Sequence, residues 1–446
     1  MKLVKSLLLG SAAGIAAVAG AQAADLPSRK SAPVEYVRVC SAYGAGFFYL
    51  PGTETCLRVG GRVRAEYLVQ ETFDAPGADT SASYGFRARG RLNIDARTAT
   101  AYGTLRTFIR YEMTISNGSY NQGVNSTGPS FVAPGARGAF GAPSTALDKA
   151  FIQFGPVTAG RAQSFFDFYA DTHNYGPIRG SDLSANLLAY TATFGSGFSA
   201  TISLEDRAER EIGLGAGNFV AGGQQYPDLV GSLNITQGWG AAQLSAAVFE
   251  RDSQSALIGG FGGGSSKTGF AIQAGVKINL PMLAAGDELW LQAAYAEGGI
   301  SYLGYGGNSP QSTWGANTNV GRLLITNSDA NVDVFGSIKL TKGYAFTAAL
   351  LHYWTPTIRQ GLYASYSKLE YANNIGAIGN TGLDPEELRI GSNLIWSPVA
   401  GLDIGVEVLY ARAEIKNRIQ AAGRPAGILI KSDDAFQGRL RIQRDF

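Results

Sequence analysis

Residues 57–69 read LRVGGRVRAEYLV. Leu57, Val59, Gly61, Val63, Ala65, Tyr67 and Val69 alternate there with Arg58, Arg62, Arg64 and Glu66. Successive side chains of a β-strand point to opposite faces. This stretch is therefore a strand with one apolar face and one arginine-rich face. The pattern returns twice. Phe86, Ala88, Gly90, Leu92, Ile94 and Ala96 oppose Arg87, Arg89, Arg91, Asp95 and Arg97, and Leu105, Thr107, Ile109, Tyr111 and Met113 oppose Arg106, Arg110 and Glu112. Alternating segments of about ten residues separated by turns are the signature of a barrel that crosses a lipid bilayer with its strands.

Later segments keep the period. Phe198 to Leu204, Phe270 to Ile278, Val332 to Leu340 and Leu402 to Tyr410 alternate in the same way, and 344–354 does so less cleanly, with no evident outward face. Apolar residues at i, i+3 and i+4 are not sustained over any long window after the first two dozen residues, so helices lose the comparison. Gly155-Pro156, Ser196-Gly197, Trp239-Gly240 and 399–401 mark tight joins. Long polar or Gly-rich stretches lie between them, near 114–146, 164–186, 206–227, 252–267, 298–330, 356–386 and 416–432. Short turns on one side and long loops on the other give an all-β, transmembrane antiparallel β-barrel of about sixteen strands. Trp239, Trp290 and Trp396 fall near short turns, where an interfacial aromatic girdle would lie.

Composition agrees. Of 446 residues, 59 are glycine and only 16% are charged, against roughly 25% in a typical soluble domain. The formal net charge is +2, which gives no basic balance for nucleic acid. A secreted soluble β-sandwich would also alternate, but a chain this long would need several, and no linker divides it.

The chain opens as an export signal. Lys2 and Lys5 precede a charge-free stretch over 6–24 that closes on Ala21-Gln22-Ala23, a small-x-small cleavage pattern. Residues 1–23 are the expected signal peptide and 24–446 the expected barrel domain. Cleavage would leave thirty-five charges of each sign. Cys40 and Cys56 flank a turn-rich segment, and a disulfide between them suits an oxidising compartment. Two free thiols or half of a metal site are the alternatives, the latter without a nearby histidine, since His173 and His352 are the only two. At the other end, Phe436, Gly438, Leu440 and Ile442 alternate with Gln437, Arg439, Arg441 and Gln443, and the last residue is Phe446. A terminal aromatic on such a strand looks like the signal read by the outer-membrane assembly machinery.

Residues 34–67, VEYVRVCSAYGAGFFYLPGTETCLRVGGRVRAEY, resemble the opening of the alphaproteobacterial porin family. The preceding ADLPSRKSAP, the stretch DKAFIQFGPVTAGRAQSFFDF at 148–168 and the ending GRLRIQRDF are also similar to that family. The resemblance implies a homotrimeric outer-membrane barrel whose third long loop folds inward to narrow the pore. It implies passive passage of small hydrophilic solutes and ions.

The charges then describe a pore. The third long loop, about 163–186, carries Asp167, Asp171 and Asp182. Barrel closure sets the final strand beside the first. The facing wall would carry Arg58, Arg62, Arg64, Arg87, Arg89, Arg91, Arg106, Arg110, Arg439 and Arg441. On a lipid face each would cost about 2–4 kcal/mol near the midplane, so they point to water. Arginines opposite an acidic loop set a field across a narrow aqueous gap, focused by low-dielectric walls. Pairing within the wall, with Glu66, Asp95 or Glu112, is the plainer role for any one of them. Phe165, Phe166, Phe168 and Tyr169 either pack the loop on the wall or form a sugar-stacking slide.

Enzyme signals are absent: no HExxH, CxxC or GxSxG occurs. GGGSSKT at 262–268 has Ser266 where a phosphate-binding loop needs Gly. No cofactor or metal is implied. The expected partners are outer-membrane lipid, the assembly machinery and the solutes themselves, with a solute-specific channel as the alternative function.

Overall fold

The computed structural model describes residues 38–70, 83–120, 144–212, 225–252, 266–306, 318–320, 322–325, 327–332, 337–371, 383–421 and 426–446. The expected signal segment and most of the second long connection lie outside the described residues.

Sixteen long strands close one antiparallel barrel. In chain order they are β1 (Cys56–Gln70), β2 (Tyr84–Thr100), β3 (Gly103–Ser116), β4 (Ser144–Phe154), β5 (Val157–Gln163), β6 (Ser184–Gly195), β7 (Phe198–Glu205) and β8 (Asp228–Gln237). They continue as β9 (Gly240–Asp252), β10 (Ser266–Asn279), β11 (Glu288–Glu297), β12 (Lys342–Thr355), β13 (Ile358–Glu370), β14 (Glu386–Val399), β15 (Leu402–Gln420) and β16 (Leu429–Asp445). Each pairs with its chain neighbours, and β16 returns to β1 in a register running from Arg62↔Asp445 to Gln70↔Gln437. The ladder reaches the last residue, where Phe446 and Gly61 exchange both backbone hydrogen bonds, at 2.9 and 3.1 Å. A Cβ on Gly61 would strike the Phe446 ring at 2.6 Å, so the closure needs glycine there.

Period two decides the faces. Val63, Phe86, Met113, Ile152, Leu188, Ile202 and Leu233 are exposed on the outside, while Arg64, Glu66, Arg87 and Arg89 are buried inside. Soluble monomers do not expose a continuous apolar band of this size. Its place is hydrocarbon, and closure leaves no strand edge unpaired there.

Three strand assignments change. The alternation at 332–340 is not a wall strand: Ala330–Val332 and Ile338–Leu340 pair with each other as a small separate hairpin. Alternation reports a two-faced strand but not what covers its apolar face. The neighbouring wall strand is β12, whose outward face is set by Phe346 and Trp354, with Ala345, Thr347 and Ala349 inside. The stretch 356–386 is a two-residue turn, the strand β13, and a long connection only from 371 to 385.

Cys40 and Cys56 form a disulfide, Cα atoms 5.9 Å apart, buried beside Phe47 at the start of β1. It ties the segment ahead of the barrel to the wall.

Two connections enter the barrel. One is 164–183. The other is the front of 298–341, where Ile300, Tyr302, Leu303 and Tyr305 join Phe166 and Phe249 in one buried cluster. The two meet at Gly304 (φ +85°), where a Cβ would collide with the backbone of Gly180.

Candidate functional site

Strand register builds the basic wall. Across β1 and β2, Arg62 stands opposite Arg91 and Arg64 opposite Arg89, and across the closure Glu66 stands opposite Arg441. Like charges directly opposed on a sheet are unfavourable. Carboxylates relieve most of them. Glu66 accepts from Arg441 at 2.7 Å and from Arg87 at 2.6 Å. Glu112 accepts from Arg91 at 2.5 Å and lies 3.3 Å from Arg89. Asp445 takes Arg62 at 2.5 Å. Asp95 takes both Arg97 and Arg106, and Asp148 takes Arg110 at 3.4 Å. Arg64 donates to Gln443 at 3.1 Å.

The loop 164–183 leaves β5 and crosses to the other side of the barrel. The Gln292 side chain accepts from the Tyr169 N–H at 3.1 Å. Asn393 donates to the His173 carbonyl at 2.6 Å, and the Glu407 carboxylate takes the N–H groups of Tyr175 and Gly176 at 2.5 and 2.7 Å. Arg389 donates to the Pro177 carbonyl at 2.8 Å, and Arg439 donates to that of Tyr175. Gln243 of β9 and Gln273 of β10 donate to the carbonyls of Asp167 and Phe166, so the loop lies along β9 to β16.

Its anchor is Arg179. The guanidinium meets both Glu387 oxygens, at 2.7 and 2.8 Å, and the Gly304 carbonyl at 2.9 Å, over the Tyr305 ring 3.6 Å away. Arg389 reaches the same Glu387 at 2.6 Å. Burial works against the charge on Arg179, but Glu387 outweighs it and holds the guanidinium above its ordinary pKa. A second buried set stands nearby: Arg210 lies 3.4 Å from Asp167 and over Tyr302, and Arg251 lies 3.1 Å from Asp329.

Between loop and wall lies a cavity of about 1000 Å³. Arg62, Arg64, Arg89, Arg91 and Arg441 line it from the wall, and Asp171 and Asp182 from the loop. Among the described residues no ion pair joins those two acids to these arginines. Ala170 and Asp171 both adopt left-handed backbone, φ 45° and 49°, where the loop turns at the gap. Such conformations persist only where surroundings impose them.

The other candidate residues sit elsewhere. Asp167 belongs to the loop but is turned into it, accepting from Ser181 at 2.5 Å and from the Leu183 N–H at 2.7 Å, so it is a clamp and not a lining acid. Arg87 is buried on Glu66, under Tyr120. Arg439 is covered by the loop, Arg106 and Arg110 lie on their acids outside the gap, and Arg58 is exposed. The loop aromatics pack. Phe166 and Tyr169 are buried, and Phe168 stands 5.0 Å from Trp290. Trp290 therefore faces the lumen and is not part of an outer girdle, while Trp239 and Trp396 are exposed. His173 pairs with Glu288 at 2.7 Å and His352 with Asp287 at 2.6 Å. Arg359, which also lines the cavity and pairs with Asp403 at 2.7 Å, was hidden by reading 356–386 as a loop; its odd-numbered place in β13 is the signal that finds it.

A closed barrel with an apolar exterior, a charged lumen and a loop laid across that lumen defines the class: a membrane channel of β-barrel type. The Porin subfamily profile matches residues 25–439, so the chain belongs to that family of porins. It is a multi-pass β-barrel of the outer membrane. Porin Omp2b of Brucella canis is 38% identical over 244 residues, covering 53% of this chain and 64% of that protein, and the Brucella suis protein matches equally. The chain thus aligns with somewhat under two thirds of those relatives' length. The crystal structure of the outer membrane channel DcaP of Acinetobacter baumannii shares the fold, with a TM-score of 0.61 at 16% identity over 89% of this chain and 99% of that one.

Proposed function

We propose that this porin is a passive, water-filled diffusion channel for small hydrophilic solutes and ions, working as a homotrimer in the outer membrane. Residues 1–23 direct export, 24–446 form the channel, and Phe446 serves as the mark for the assembly machinery. The loop 164–183 sets the size limit, and the arginines of β1, β2 and β16 set the charge filter. The observation that carries this reading is the cavity lined by five wall arginines on one side and by Asp171 and Asp182 on the other. Opposed charges across a narrow gap with low-dielectric walls order water and polar solutes. An apolar solute that displaces this water leaves charged groups unsolvated. The filter requires no energy source.

Conductance of the detergent-extracted protein in a planar bilayer tests the reading. Stepwise ohmic currents closing in three equal levels are expected. Folded protein that inserts without steps would remove the channel, and single steps would remove the trimer.

A further inference from the structure

Arg64 is the exception among the five wall arginines that line the cavity. Its neighbours are held by acids, but no carboxylate stands within ion-pair distance of it among the described residues, and its Nε–H goes to the neutral Gln443 side chain at 3.1 Å. The residue is only 9% exposed, yet it lines the cavity. The charged groups acting on it are Arg441, Arg62 and Arg89 and the acids Glu66 and Glu112, and Glu112 is already taken by Arg91 and Arg89. Both Glu66 oxygens are already engaged, one by Arg441 and one by Arg87. Asp171 and Asp182 lie on the loop side of the same cavity and form no ion pair with the wall. A buried guanidinium crowded by like charges, with its nearby acids already paired to other arginines, favours an added anion.

We infer that Arg64, with Arg89 and Arg441 beside it, binds a small oxyanion of the carboxylate or phosphate type as it passes. The inference rests on the channel reading above. A guanidinium presents parallel N–H groups that match two oxygens of one anion, which a spherical halide cannot use. The surrounding cavity is wide enough to keep water around the ligand, so the site is weak. Conduction needs that weakness, since a bound ion must also leave.

The probe is inorganic phosphate, added to the full-length protein in a planar bilayer at fixed potassium chloride. The chloride current of the wild type is expected to fall along a saturating curve, with a midpoint on the order of 1 mM. Arg64→Gln is expected to raise that midpoint about ten-fold or more, the scale of one lost charge-assisted hydrogen bond. Lys416→Gln, on an exposed rim residue, should keep the wild-type midpoint. Potassium chloride steps from each variant show that it is folded and inserted. A current that rises in proportion to phosphate, or equal midpoints for wild type and Arg64→Gln, overturns the site while leaving the channel intact. If folded protein gives no steps at all, the channel reading fails by itself. Phosphorus NMR line broadening on the detergent-solubilised protein then decides the site. Broadening that Arg64→Gln abolishes supports it, and a sharp phosphate line in wild type overturns it.

Discussion

Arg64 and Arg179 are the same side chain in the same barrel, set to opposite tasks. The wall arginines Arg62 and Arg91 keep 27% and 18% of their side chains exposed, and their acids are shared or stand to one side. Arg179, Arg210, Arg251 and Arg389 keep none; all four are closed in by carboxylates, and the first three by rings as well. The first group faces water and leaves field over for solutes. The second group spends its charge on holding the inserted connections in place. The difference follows from dielectric surroundings. A half-wet ion pair is worth little to stability, whereas a buried pair that loses one member leaves an uncompensated charge.

The sharpest way to break this comparison is Glu387→Gln, which strands Arg179 and Arg389 together. A loss of about 3–5 kcal/mol is expected, read as a lower temperature for the heat-induced mobility shift in detergent, together with protease access to 164–183. An unchanged transition would mean that the loop is held without its anchor. Next is Gly304→Ala, which forces a Cβ at φ +85° into the Gly180 backbone. It should destabilise the docked loop by about 1–3 kcal/mol while the strand content seen by circular dichroism stays constant. A fall in strand content would place Gly304 in the barrel's own stability.

Smaller effects sharpen the other side. Arg62→Gln removes a partly exposed pair with Asp445 and should change stability by less than about 1 kcal/mol. Its reversal potential in a salt gradient should move toward cations. Asp171→Asn should move it toward anions, again with little change in stability. Shifts of the same sign in both variants would contradict a field spanning loop and wall.

The barrel was legible because period two is written into most of the wall strands, although β12 hid its outward face and β13 lay inside a stretch read as loop. Residues 57–69 alone set the faces of β1 and, through register, of its neighbours. The acids Asp171 and Asp182 and the arginines Arg62, Arg64, Arg89, Arg91 and Arg441 could be nominated from that period and from one resemblance. What sequence could not show lies in the connections. Arg179 meets Glu387 across 208 positions, and no local pattern encodes that meeting. Asp167 looked like its fellow loop acids because its partners, Ser181 and the Leu183 N–H, are fixed only once the loop turns back on itself. The hairpin at 330–340 misled for a physical reason: a strand covered by lipid and a strand covered by other protein carry the same alternation.

The separation of Arg179 from Glu387 also dictates an order of events. Bringing two residues this far apart together carries a loop-closure cost until the intervening strands are in place. Glu387 stands on β14 while the loop hangs between β5 and β6, so the anchor pair forms only once the wall holds both places. Docking of Arg179 therefore reports a wall already formed on both sides of the lumen, and resistance of 164–183 to cleavage is a readout of that closure.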